Sequence, residues 1–185
     1  MCREEDLSVR ERSGSTATPA RRTAMLVITL GAVKGGVESY LERLAVLLDS
    51  DVDVYCLCLF PETASGLRSV GVRTVLLPQL GKLTKPLGFL FAWFLIPRLT
   101  WKYGISIIQI NGLLEAIFLI EARLLGRKTI YTRHGPFEDD LYLWYKQPRP
   151  FIPRFIARIF ARAASTLVCV SEDTYQSLDP GLRRK

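Results

Sequence analysis

Histidine occurs once in the 185 residues, at His134, and the four cysteines (Cys2, Cys56, Cys58 and Cys169) show no ligand spacing. That scarcity argues against a Cys/His metal site, and no metal ligand is assigned. The cysteines read better as buried free thiols in a reducing cytosol, with Cys56 and Cys58 on one face of a strand. Acid is also short: 18 acidic against 25 basic residues give a net charge of +7, with a pI near 9.4. An excess of that sign favours acidic partners, whether nucleic acid, anionic lipid or phosphorylated substrate. Long apolar runs are missing as well. Pro86 to Pro97 (PLGFLFAWFLIP) has the longest one, about half of the roughly 20 residues that span a bilayer, so no transmembrane helix is expected. Residues 1–23 are rich in Arg, Glu, Ser and Thr and poor in large apolar residues, which reads as a disordered tail and not a secretory signal.

What is present is an alternation. Apolar, β-branched runs recur at Ala24–Leu30, Val52–Leu59, Val72–Leu77, Ile105–Ile110, Lys128–Thr132 and Thr166–Val170. Helical patterns lie between most of them, at Val37–Leu48, Thr63–Val70, Leu87–Lys102, Leu113–Leu125 and Phe151–Ala163. Strands that alternate with helices build a parallel sheet covered on both faces, and runs such as ISIIQI and STLVCV suit burial on both sides. The expected fold is α/β, a Rossmann-like doubly wound parallel sheet of six strands.

Ligands of such sheets bind at the carboxyl ends of the strands, near the switch in strand order. Four strand ends carry suggestive residues: Gly31–Gly36, Asn111–Gly112, His134–Gly135 and Ser171–Glu172. The turn GAVKGG fits neither familiar phosphate fingerprint. A P-loop needs Gly-Lys-Ser/Thr where this chain has Gly36-Val37-Glu38, and Val33 stands where a dinucleotide turn has its second glycine. Tight strand–helix packing explains such a turn as readily as an anion does. Lys34, beside Gly35 and Gly36, tilts the reading toward an anion at a helix start.

The ordered set GGVESYLERLA after the first strand, TRHG after the fifth and VCVSEDTYQSL at the sixth resembles the amino-terminal domain of the family-four retaining glycosyltransferases. The likeness runs from Ala24 to Leu178 and implies one half of a GT-B fold, two Rossmann-like domains facing each other across a cleft. It implies that Gly35 and Gly36 lie at the cleft floor beside the donor phosphates and the acceptor. It implies that His134 faces the transferred sugar, which makes it the candidate catalytic residue. Ser171 and Glu172 are implied near the cleft, and Asn111 joins the substrate-binding set by its strand end. Plainer alternatives stand beside these: a surface or capping role for His134, and a helix N-cap for Ser171. The donor is a nucleotide-sugar, UDP- or GDP-linked, bound as substrate, with no permanently held cofactor. Residues 179–185 read as the start of a linker to a second, donor-binding domain whose paired glutamates find no match here. The chain is then expected to be inactive alone, whether as a fragment, a truncated product or one subunit of a split enzyme.

The basic residues cluster. Lys82–Lys102 holds four of them and no acid, and Lys146–Arg162 holds five and no acid. Arg154, Arg158 and Arg162 recur every fourth residue, one helical stripe, while Trp93, Trp101 and Trp144 are interfacial aromatics. The expected partner is an anionic membrane surface with a glycan or lipid-linked acceptor on it, not nucleic acid, because the aromatics group with aliphatics and not with Lys and Arg. Location is expected to be cytoplasmic, peripheral at the inner face of the plasma membrane. The alternative function is a non-catalytic Rossmann-like module that docks on membrane or on a partner protein.

Overall fold

The computed structural model describes residues 22–30, 36–48, 51–112, 115–134, 159–176 and 178. The expected tail (apart from Arg22 and Thr23), the linker and the segment from Lys146 to Arg158 lie outside them. The strands are β1 (Thr23–Thr29), β2 (Val52–Cys58), β3 (Arg73–Leu76), β4 (Ile105–Ile110), β5 (Lys128–Arg133) and β6 (Thr166–Cys169). They form one sheet in the order β3-β2-β1-β4-β5-β6, every pair parallel. The helices are α1 (Gly36–Leu48), α2 (Pro61–Ser69), α3 (Thr84–Tyr103), α4 (Phe118–Leu124), α5 (described over 159–163) and α6 (Glu172–Gln176).

Side chains alternate across a strand, so each strand feeds two cores. On one face Leu26, Ile28, Leu57, Ile108 and Tyr131 pack with Ile96 of α3 and Phe118 of α4. On the other Met25, Val27, Cys56 and Cys58 pack with Leu41 of α1 and Leu67 of α2. The β1 strand is central and buried from Ala24 onward because it has a strand on each side and helices above and below. Cys56 and Cys58 are buried as free thiols, and Cys169 is a half-buried one.

Connections are short where glycine permits. The α3 helix ends at Tyr103, and Gly104 alone, at φ +62°, turns the chain into β4. A left-handed residue at a helix end is the position where lacking a Cβ costs least. The result is a doubly wound sheet whose helices leave its carboxyl edge accessible to a ligand.

Candidate functional site

Strand order reverses between β1 and β4, so their carboxyl ends form the crevice where a doubly wound sheet binds ligands. The two ends are tied together by one side chain. Leu30, just past β1, donates its buried N–H to Glu115 Oε1 at 3.1 Å, across 85 residues of sequence. Glu115 is buried in a 3-10 turn (Glu115–Ile117) and reaches back over Gly112, where a Cβ would run into its Oε2. Glycine at 112 is what leaves room for the carboxylate.

Between β4 and β5 lies a polar cluster inside an otherwise apolar sheet. Gln109 of β4 is buried, and its Nε2 is 3.1 Å from the Tyr40 hydroxyl, 3.1 Å from Asn111 Oδ1 and 3.0 Å from Thr132 Oγ1. Two amide hydrogens can serve only two of the three oxygens at once, so one of the three is left without this donor. Tyr40 stands one turn into α1, Asn111 follows β4, and Thr132 is near the end of β5. A single amide thus joins three chain segments that each end at the crevice.

His134 follows β5 and meets the same cluster through its ring. The Tyr40 and His134 ring centroids are 5.2 Å apart at 74°, an edge-to-face contact. Burial holds the imidazole below its ordinary pKa of 6.5, so the ring is neutral at pH 7. Two atoms of the cluster are buried without a hydrogen-bond partner among the described residues: His134 Nε2 and Asn111 Nδ2. Leaving such groups unmatched costs about 1–3 kcal/mol each, a cost that a bound hydroxyl or phosphate oxygen offsets.

Comparison with known proteins places the sequence in a family. The model of Glycosyltransferase Family 4 matches residues 34–184, most of the chain. The chain belongs to glycosyltransferase family 4. No curated protein matches it in sequence. Among solved structures, the glycosyltransferase of Rickettsia africae ESF-5 is similar with a TM-score of 0.63 and 18% identity, over 85% of this chain and 39% of that one. Anabaena HepE, solved in complex with UDP-glucose, gives a TM-score of 0.59 and 14% identity, over 84% and 40%. MurG of Acinetobacter baumannii gives 0.56 and 16%, over 82% and 43%. The chain therefore spans about two fifths of the length of these structures, one Rossmann-like half of a GT-B fold.

Within this family 4 domain the expected site residues separate into groups. Asn111 and His134 join one cluster, Asn111 through Gln109 and His134 through Tyr40, and the start of α1 at Gly36 stands one turn from Tyr40. Lys34 and Gly35 lie outside the described residues. Ser171 and Glu172 are at the end of β6 but are used locally. Ser171 Oγ accepts from the Thr174 N–H at 3.2 Å as the N-cap of α6, and exposed Glu172 accepts from Gln176 one turn on. Trp93, Trp101 and Arg162 are exposed; Arg154 and Arg158 lie outside the described residues. Among the described residues no group of His, Cys, Asp and Glu could hold a metal ion.

Tyr40, Gln109, Glu115 and Thr132 were not expected in the site. Gln109 carried the one available signal, a polar side chain in the apolar strand ISIIQI. A cavity of about 130 Å³ lined by Arg22, Asp53, Gly71 and Arg73 lies at the opposite, amino-terminal edge of the sheet, away from this cluster.

Proposed function

We propose that this family 4 domain is the acceptor-side half of a retaining glycosyltransferase. It works on a UDP- or GDP-sugar donor and a lipid-linked or membrane-proximal acceptor, at the cytoplasmic face of the membrane. The observation that carries the reading is the pair of buried atoms with no hydrogen-bond partner among the described residues, His134 Nε2 and Asn111 Nδ2, at the carboxyl edge of the sheet next to the switch point. A neutral imidazole exchanges one hydrogen bond with a sugar hydroxyl without placing a charge there, and the Asn111 amide donates a second. The first N–H groups of α1 have no helical acceptors, and the helix dipole puts its positive end at the same crevice. A donor diphosphate gains from that field, with Lys34 adding charge. Glu115 holds the crevice wall by tying the turn after β4 to the end of β1.

Support for the chemistry comes from family membership, and from the presence of UDP-glucose in the Anabaena structure of the same fold. The donor-binding half is supplied by a second Rossmann-like domain. The test is product analysis with the chain joined to such a domain and offered UDP- and GDP-sugars with a membrane acceptor. Transfer with the anomeric configuration retained, read by NMR, is expected, with none from the chain alone. An inverted product would overturn the retaining assignment. Absence of transfer from every donor would favour the non-catalytic docking module.

A further inference from the structure

The helical layer over one sheet face has an outer surface that neither the core nor the site explains. On α3, Leu90, Phe94 and Trp101 are exposed at spacings of four and seven, a single stripe, with Phe91 and Trp93 beside it. On α4, Ile120 and Leu124, with Ile117 just before the helix, make a second exposed apolar stripe. The two are neighbours: Phe118, next to Ile117, stacks on Phe89 at 5.7 Å and meets Trp93 at 6.0 Å. Exposed apolar surface of this extent marks an interaction site.

Charge identifies the occupant. From Pro78 to His134 the sequence has two acids, Glu115 and Glu121, and both are buried. Among the described side chains of that stretch the exposed charged ones, Arg98, Lys102, Arg123 and Lys128, are all basic. Two copies meeting through this surface would set like charges together on chains that each carry a net charge of +7. An anionic bilayer meets both requirements: headgroups for the bases and an interface for Trp and Phe. No described helix is long and apolar enough to cross a membrane, so the contact is one of lying on the surface.

We propose that the outward faces of α3 and α4 together dock the domain on an anionic bilayer. Crossover helices run antiparallel to their strands, and Gly88 in the first turns of α3 packs against Leu59, just past the carboxyl end of β2. The bilayer then lies along the α3–α4 layer, with the crevice edge at one border of the contact. Its purpose, presenting a membrane-borne acceptor, rests on the function proposed above, but the docking is measured without donor or acceptor.

The full chain is sedimented with vesicles of phosphatidylglycerol and phosphatidylcholine, or of phosphatidylcholine alone. Binding to the anionic vesicles at least tenfold stronger is expected, weakening at 1 M salt as the screening length falls from about 10 to about 3 Å. Arg98→Glu with Lys102→Glu, and separately Phe94→Ala with Trp101→Ala, should each lower it at least tenfold. Val46→Ser with Leu47→Ser, which alters exposed residues of α1 on the other face, should leave it unchanged. Equal binding to both vesicle types, or loss only in the α1 variant, would overturn the proposal. So would sedimentation showing that the α3 substitutions dissolve a dimer that never bound lipid. Failure of sugar transfer with vesicle binding intact would leave the docking standing and refute only the catalytic reading.

Discussion

At the scale of single residues, the site depends on a few polar groups placed where the sheet is otherwise apolar. Gln109 is affordable inside β4 because all three oxygens near its amide belong to the same cluster. It could be suspected from sequence, being polar in an apolar run, but its partner Tyr40 is 69 residues away and no local pattern points to it. His134 was legible for a different reason: it is the only histidine, and it follows a strand. That uniqueness makes it measurable, since its ring gives the sole histidine resonances in an NMR titration. Burial lowers the folded pKa, so a midpoint below 6.5 is expected. The unfolded chain then binds more protons, and the stability tied to His134 is present above the unfolded pKa and lost as pH falls through the folded one. A midpoint at or above 6.5 would show the ring solvated or paired with an acid, and the neutral contact to a sugar would lose its basis.

At the scale of elements, all six strands fall within one or two residues of the apolar runs that announced them. Parallel strands buried on both faces have few polar positions to blur their edges. Helix boundaries were less legible. The α3 helix starts at Thr84 and takes Pro86 into its first turn, where the missing N–H costs nothing, so the pattern starting at Leu87 understated it. The pattern Leu113–Leu125 resolves into a 3-10 turn and the shorter α4, with the Glu115 carboxylate committed to Leu30. Another carboxyl gives α4 a pH dependence. Glu121 is buried, its Oε2 has no partner among the described residues, and burial pushes its pKa from 4.5 up to about 7. A raised pKa means that the folded state holds the proton more tightly, so this stability is full below pH 4.5 and lost as pH rises through about 7. Glu121→Gln, which mimics the protonated acid, should therefore match wild type in Tm near pH 4.5 and exceed it at pH 8. A difference independent of pH would mean that Glu121 is ionised in the fold.

At the scale of the whole molecule, charge and chemistry occupy different parts of one sheet. The crevice at the carboxyl edge gathers the Gln109 cluster and the Glu115 carboxylate bonded to Leu30, while exposed bases and aromatics lie on the outside of the α3–α4 layer. On the function and docking proposed above, one edge of the domain faces a diphosphate-linked sugar and the α3–α4 layer rests on an anionic surface. The measurement closest to the central claim is turnover by the chain joined to a donor-binding Rossmann-like domain, wild type against His134→Ala, with folding checked by circular dichroism. A loss of at least tenfold, about 1.4 kcal/mol of transition-state stabilisation, is expected. Wild-type turnover from a folded His134→Ala protein would contradict the assignment of this strand-end cluster as the sugar-facing site.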